Sequence, residues 1–154
     1  MPTHAEKRIV PYTAQQMFDL VADVGRYPAF LPWISAARVR KRTRRDDGTE
    51  VMEADLVVSF KVFRETFGSR VVLDPGKMRI DTSYLDGPFR YLKSYWAFRD
   101  EGEDSGKSEV EFFVDFEFRS AVLQKLIGVV FNEAMRRSVK AFEDRAATLY
   151  GGAR

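Results

Sequence analysis

The chain of 154 residues offers few side chains that could carry out covalent chemistry. Cysteine is absent, which excludes disulfides, thiol nucleophiles and thiolate metal sites. Histidine occurs once, as His4 near the N-terminus, so the composition also excludes a His-based metal site and a Ser-His-Asp triad. We therefore expect no metal and no catalytic residues.

Glu65 is the residue with the clearest potential for specific chemistry. It shares strand phase with Phe63 and Phe67, so its carboxyl group points to the apolar face if the strand is regular. There it would need a donor such as Arg70 or Lys93, or it would stay protonated and donate to a ligand carbonyl. Two alternatives remain: a register slip that exposes it to water, and a general acid, for which no second acid-base partner is evident.

Residues 38–45 form a strongly basic run, with six cations in eight positions. On a strand, Arg38, Arg40, Arg42 and Arg44 would line one face. Anionic lipid head groups or RNA phosphates are the candidate partners, and a charged edge strand that resists aggregation is the alternative. The net charge of +2 does not by itself indicate a nucleic-acid binder. The predicted basic patch comprises Arg38, Arg40, Lys41, Arg42, Arg44 and Arg45.

The elements that position these residues follow from hydrophobic periodicity. A first strand spans residues 3–10, and Thr13 caps a short helix. A second short helix or turn lies within residues 24–33. Alternation of period two then runs from about Ile34 to Phe118, with turns at intervals of roughly ten to fifteen residues. Ser120 caps a final helix that continues to about Tyr150.

This order predicts a single α+β domain over residues 1–154. A curved antiparallel sheet of about six or seven strands wraps around one long C-terminal helix, with two short helices after strand 1. One helix cannot fill the concave face of such a sheet, so we expect a mostly apolar cavity of about 300–1,000 Å³ between them. The first half of the helix is apolar nearly all round, with only Gln124 and Lys125 polar between Ala121 and Phe131.

The predicted ligand-binding residues lie on the apolar face of the sheet and on the start of the long helix. They are Leu56, Val58, Phe60, Glu65, Phe67, Trp96, Phe112, Val114, Phe116, Leu123, Ile127 and Val130. The alternative is that they form an ordinary packed core. A proline-stiffened segment could gate the cavity through Tyr27, Phe30, Leu31 and Trp33, or it could clamp the short helices onto the sheet.

A set of motifs in a fixed order resembles the coenzyme Q-binding proteins of the START-like (helix-grip) superfamily, whose bacterial members are also described as ribosome association toxins. The motifs are Tyr27-Pro28-Ala29-Phe30-Leu31-Pro32-Trp33, Ala54-Asp55-Leu56, Phe60-Lys61, Glu65-Thr66-Phe67, Gly87-Pro88-Phe89 with Leu92, Trp96-Ala97-Phe98, Phe116-Glu117-Phe118, Ala141-Phe142-Glu143-Asp144-Arg145-Ala146 and Leu149-Tyr150-Gly151. The resemblance covers about residues 3–151. Gly25 and Ile34 depart from the family pattern, where an acidic residue and cysteine are common.

The resemblance implies a binder of ubiquinone or a related polyisoprenoid lipid that acts as a quinone chaperone or carrier in respiration. It implies no enzyme activity and no required cofactor beyond the bound lipid. The alternatives are a toxin-like protein that binds a ribosomal subunit and blocks subunit association, and a cyclase-type enzyme. No signal peptide or membrane-spanning segment is evident, so we expect a cytoplasmic protein, peripheral to the inner membrane face if it contacts anionic lipid.

Overall fold

Seven antiparallel strands form one curved sheet around a long helix in the computed structural model, which describes residues 3–60, 63–102 and 105–151. The elements are β1 Thr3–Val10, α1 Ala14–Ala22, a 3₁₀ helix Val24–Ala29, β2 Ile34–Arg44, β3 Glu50–Phe60, β4 Phe63–Asp74, β5 Arg79–Asp86, β6 Phe89–Asp100, β7 Ser108–Phe118 and α2 Ala121–Tyr150. The strand order is β1-β7-β6-β5-β4-β3-β2. The predicted α+β helix-grip fold is confirmed, including the two short helices after β1.

Both α-helices begin at the residues that the sequence predicts as caps. The hydroxyl of Thr13 accepts a hydrogen bond from the backbone N–H of Gln16, whose side chain accepts in return from the Thr13 N–H. Ser120 caps α2 by accepting from the N–H of Leu123 at 3.2 Å. Within the described residues, no helix is both long and apolar enough to cross a membrane.

The inner face of the sheet is buried against α2. Burial alternates along the whole of β7, as the period of two requires. Met52 and Ala54 on β3 are fully buried, and Phe142 and Ala146 on α2 are also in the core. Since α2 crosses one concave surface, the packing of its C-terminal half determines how much space remains beside its N-terminal half.

The β2 strand requires a correction, because it contains a bulge just after Val39. Arg38 pairs with Asp55, whereas Arg42 pairs with Met52. Cross-strand partners share a face, and Asp55 and Met52 are an odd number of residues apart, so the two arginines lie on opposite faces. The bulge inverts the alternation within the strand. The prediction that Arg38, Arg40, Arg42 and Arg44 line one face is therefore wrong.

The turn between β5 and β6 brings backbone close to the inner face. Gly87 has a φ of 134°, and a Cβ at this position would lie 2.7 Å from the Cβ of Phe67. Only glycine fits both the conformation and the space. This close approach places Pro88 and Phe89 beside Phe67, where all three help to form a cavity wall.

Candidate functional site

A cavity of about 230 Å³ lies between the sheet and α2. It is smaller than the range expected from the sequence, because aromatic side chains fill part of the concave face. Its walls come from β2, β3, β4, β6, β7, α2 and the two segments that precede β2 and β6. The lining residues are Leu31, Trp33, Ile34, Val58, Glu65, Phe67, Pro88, Phe89, Leu92, Val114, Phe116, Phe118, Ile127, Phe131, Ala134, Met135 and Ser138.

Packed aromatic rings form the deep wall of the cavity. Phe116 contacts Phe89, Phe118 and Phe131 edge-on, with ring centroids 5.5, 5.3 and 4.9 Å apart. All four rings are buried. Such edge-to-face contacts hold rings rigidly, so this wall is a preformed apolar surface.

Half-buried lining residues mark the side of the cavity that faces solvent. They include Glu65 on β4, Pro88 before β6, Leu92 on β6 and Ile127 on α2. Ile127 belongs to the N-terminal half of α2, so this part of the helix forms one edge of the opening. Other half-buried lining residues lie before and on β2, on β3 and in the middle of α2, namely Trp33, Ile34, Val58, Ala134, Met135 and Ser138.

Glu65 faces the cavity, as the strand phase predicts. It pairs with Val58 on β3, which also lines the cavity. The donors suggested from the sequence, Arg70 and Lys93, lie on the outer face. Arg70 is an odd number of residues from Glu65, and it pairs with Ser83, which in turn pairs with Lys93. Glu65 has no hydrogen-bond or ion-pair partner among the described residues, so its carboxyl group is available to a ligand.

A second polar contact lies on the helix side of the cavity. The indole N–H of Trp33 donates to the hydroxyl oxygen of Ser138 at 2.7 Å. That hydroxyl in turn donates to the carbonyl oxygen of Ala134 at 2.9 Å. The backbone carbonyl of Trp33 also accepts from the Ser59 N–H at 2.7 Å. Trp33 is thus held between β3 and α2 and forms a fixed part of the wall.

The structure brings half of the predicted ligand-binding residues to the cavity. They are Val58, Glu65, Phe67, Val114, Phe116 and Ile127. The side chains of Phe60 and Val130 lie outside the described residues. Four others, Leu56, Trp96, Phe112 and Leu123, do not line it and pack against the core instead. The Trp96 ring, for example, lies 4.5 Å from Phe112 and 4.9 Å from Phe142.

For Trp96 and Phe112 the correction has a simple cause. Strand phase identifies the inner face, but it does not give the position along α2 at which a residue meets the helix. Trp96 meets Phe142 in the C-terminal half of α2, and Phe112 packs against Trp96. The α2 residues that line the cavity run from Ile127 to Ser138 and so precede Phe142 along the helix.

The predicted gate divides into two parts. Leu31 and Trp33 line the cavity. Tyr27 and Phe30 pack against Phe142, with ring centroids 5.4 and 5.2 Å away, and do not line it. These two residues therefore have the geometry of a clamp that fixes the 3₁₀ helix on α2.

Several lining residues were not predicted from the sequence. For Leu92 and Phe118 the available signal was the period-two alternation of their strands. On α2, helical spacing could have identified a stripe that comprises Phe131, Ala134, Met135 and Ser138. Ile34, Pro88 and Phe89 lie beside turns, where alternation does not predict which face a side chain occupies. Their place in the cavity depends on how the turns fold back.

A polar cluster on the inner face was also missed. His4 lies 2.9 Å from a carboxylate oxygen of Glu6, and Arg8 contacts both Glu6 and Glu143 of α2. The His4 ring also contacts Phe131, which lines the cavity, at 6.3 Å. The period-two spacing of residues 4, 6 and 8 was the available signal.

The basic patch is divided between the two faces of β2. Arg40 forms an ion pair with Asp55 at 3.1 Å, and Arg42 approaches Glu50 at 3.5 Å. Arg38 and Lys41 lie on the outer face, are exposed, and have no ion pair with a described residue. Arg44, on the same face as Arg42, and Arg45, just after the strand, are also exposed and have no ion pair with a described residue. The cations available to an anionic partner therefore lie on both faces of β2.

The polar groups of the site do not resemble a metal or acid-base centre. Among the described residues, no three His, Cys, Asp or Glu side chains are placed to hold a metal ion. The cavity brings together one carboxyl group, one hydroxyl group and apolar surface. This arrangement can bind an apolar molecule that carries a small polar group.

Comparison with known proteins gives two kinds of relative. The chain is 41% identical over 142 residues to a protein of Rickettsia prowazekii named ribosome association toxin RatA, covering 90% of this chain and 92% of that one. It is 30% identical over 152 residues to the mitochondrial coenzyme Q-binding protein COQ10 homolog B of Xenopus laevis, covering 96% of this chain and 59% of that one.

Among solved structures, the solution structure of the 18 kDa protein CC1736 from Caulobacter crescentus superposes with a TM-score of 0.80. It is 37% identical, and the match covers 99% of this chain and 100% of that one. The family described as "Polyketide cyclase / dehydrase and lipid transport" matches residues 10–143, which include every residue that lines the cavity. The sheet, the helix and the intervening cavity thus agree with the sequence match, and the chain belongs to this family.

Proposed function

We propose that the protein binds a quinone with an isoprenoid tail, ubiquinone or a close analogue, and acts as its carrier or chaperone in support of respiration. The observation that carries the proposal is the cavity of about 230 Å³, whose lining is apolar apart from Glu65, Ser138 and the indole N–H of Trp33. The name of the Xenopus relative supports the choice of ligand. The proposal requires no chemistry and no cofactor other than the bound lipid.

The cavity volume limits how much of such a ligand is enclosed. A dry protein cavity of about 150 Å³ accommodates benzene. A cavity of about 230 Å³ therefore suits one substituted six-membered ring, with the tail leaving past Ile127 and Leu92. At ~25 cal/mol per Å² of buried apolar area, the ring and the first prenyl unit could contribute a few kcal/mol before ordering costs.

A carrier must exchange its ligand with a membrane, and the start of α2 has a suitable surface. Val122 and Leu126 are 69% and 62% exposed, one turn apart on the helix face that points away from the core. Lys125 lies between them in sequence and is also exposed. Apolar side chains beside a cation are typical of contact with an anionic bilayer surface.

The test compares two substitutions on neighbouring residues of α2. Ile127→Asp places a charge in the cavity wall, whereas Leu126→Asp places the same charge on the exposed face. Each variant is purified from the native host. Native mass spectrometry measures how much ligand is bound, and mass spectrometry of the organic extract identifies it.

We expect a stoichiometric quinone with the unmodified protein and with Leu126→Asp, and its loss with Ile127→Asp. Phe116→Asp, at the deep wall, should behave like Ile127→Asp if it remains folded. Equal quinone content in both α2 variants would show that the ligand does not occupy this cavity.

A second candidate function is binding to a ribosomal subunit, which the name of the Rickettsia relative supports. Arg38 and Lys41 on the outer face of β2 are exposed cations that could contact RNA phosphates. This function predicts that Arg38→Glu with Lys41→Glu weakens co-sedimentation with subunits and lowers its salt slope by about one per lost phosphate contact. Arg42→Glu with Arg44→Glu, on the opposite face, changes the net charge equally and is the matched control. Co-sedimentation that is unaffected by the double substitution would exclude this surface.

A further inference from the structure

The donors among the polar groups that line the cavity are already engaged, so the hydrogen-bonding capacity that remains for a ligand is that of acceptors. As a carboxylate, Glu65 has only acceptor oxygens. The Ser138 hydroxyl has a single proton, which it donates to the carbonyl oxygen of Ala134 at 2.9 Å. The indole N–H of Trp33 is directed to Ser138 at 2.7 Å. Among the described lining residues, the remaining capacity is therefore the Glu65 carboxylate and one lone pair of Ser138.

These acceptors lie on two walls. Glu65 is on β4, within the sheet, and Ser138 is on α2. Every other described lining side chain besides Trp33 is apolar, so the cavity offers no further side-chain donor. A ligand whose polar atoms are all acceptors would lose its hydrogen bonds to water and gain none here. A ligand with hydroxyl groups could donate to either wall.

We infer that the cavity selects a ring that donates hydrogen bonds, and so binds the hydroquinone form of a quinone lipid in preference to the oxidised quinone. This inference rests on the proposed function and deepens it. The two forms have nearly the same shape, but the reduced ring has two O–H groups where the oxidised ring has two carbonyl oxygens. A hydrogen bond to a charged acceptor discriminates at least about tenfold between a ring that can donate it and a ring that cannot.

The preference has a consequence for the redox behaviour of the bound lipid. A protein that binds the reduced form more tightly raises the midpoint potential of the two-electron couple. A tenfold preference corresponds to an upward shift of about 30 mV. The carrier would therefore hold its cargo in the reduced state and release it more readily after oxidation.

The experiment measures the dissociation constants of decyl-ubiquinol and decyl-ubiquinone under anaerobic conditions. Quenching of tryptophan fluorescence reports binding, because Trp33 lines the cavity. We expect the quinol to bind at least about tenfold more tightly to the unmodified protein. In Glu65→Gln the amide supplies a donor as well as an acceptor, so the preference should fall to within about threefold.

Glu53→Gln is the matched control, since Glu53 lies on the neighbouring strand but on the outer face; it should keep the full preference. Equal affinities for the two forms in the unmodified protein would overturn the inference and leave the proposed function standing. Tighter binding of the quinone would also overturn it, because the cavity would then favour a ring that accepts hydrogen bonds. Absence of binding by either form would overturn the proposed function, and the inference with it.

Discussion

Arg8 on β1 contacts two carboxylates at once, that of Glu6 on its own strand and that of Glu143 on α2. Burial acts to lower the pKa of Arg8, but the hydrogen bonds to Glu143 and Glu6 outweigh this effect and raise it. The side chain of Glu6 is only 14% exposed and also contacts His4. This cluster joins the edge strand to the helix by charge as well as by packing.

Arg8→Met tests the strength of that connection. The substitution keeps an unbranched side chain but leaves Glu6 and Glu143 without their shared cation. We expect the free energy of unfolding to fall by about 1–3 kcal/mol, measured by urea denaturation. Lys7→Met, on the exposed outer face of the same strand, should change it by less than about 0.5 kcal/mol. A loss no greater than that of the control would mean that the cluster contributes nothing to stability.

Tyr27 makes stability sensitive to alkaline pH. Burial, and secondarily the nearby Asp23 carboxylate, raises the pKa of Tyr27 in the folded state. Its hydroxyl donates to the carbonyl oxygen of Val21 at 2.5 Å. In the unfolded chain the group titrates near pH 10. Above that pH, the unfolded state loses a proton that the folded state keeps, so stability falls as pH rises.

We therefore expect Tyr27→Phe to reduce the alkaline slope of stability. The difference from the unmodified protein should reach at most about 1.4 kcal/mol per pH unit above pH 10, and the slopes should coincide below about pH 9. Urea denaturation at a series of pH values measures both. Identical slopes throughout would indicate that Tyr27 ionises as readily in the folded protein as in the unfolded chain.

At the scale of elements, α2 combines two roles in one segment. Ile127 lines the cavity, whereas Val122 and Leu126 are exposed to solvent. The sequence indicated an unusually apolar helix start, and the structure shows that the apolar residues are divided between an inner and an outer surface. An exposed pair of this kind has no role in the core.

Val122→Asp combined with Leu126→Asp should therefore separate ligand affinity from ligand transfer. We expect transfer of decyl-ubiquinone between anionic vesicles to slow at least tenfold, because the apolar contact with the bilayer is lost. Affinity for the lipid in solution should stay unchanged. Vesicle-to-vesicle transfer and equilibrium binding measure the two quantities. Unchanged transfer would show that the start of α2 does not contact the membrane.

The faces of the β2 residues could not be predicted from alternation in the sequence. Alternation is a reliable guide only while the strand is regular, and a bulge is not marked by any particular residue in this run. The cations on β2 therefore had to be assigned to faces from the register with β3. Arg38 shares a face with Lys41, and not with Arg42.

At the scale of the whole molecule, ligand binding should stabilise the fold, because the cavity exists only when sheet and helix are assembled. A free ligand concentration of 100 times the dissociation constant adds about 2.7 kcal/mol to the free energy of unfolding. We expect thermal unfolding with decyl-ubiquinol to shift upward accordingly. Ile127→Asp should abolish the shift, whereas Leu126→Asp should retain it. A shift of equal size in both variants would place the ligand elsewhere.

Local patterns alone specified the elements and their order. Each of these depends only on residues close together in the chain and can be predicted from the sequence: the caps at Thr13 and Ser120, the strand from Thr3 to Val10 and the alternation in β7. The orientation of Glu65 followed from the same alternation. The family resemblance then added the expectation of a lipid ligand, which residue spacing could not supply.

Tertiary structure alone decided where the cavity lies along α2. Trp96 and Glu65 both belong to the inner face, yet only Glu65 meets open space, because Phe142 fills the other half of the concave surface. The bulge in β2 and the return of the Gly87 turn onto Phe67 likewise depend on contacts between distant residues. A period in the sequence identifies a face, but the volume left between two faces is a property of their packing.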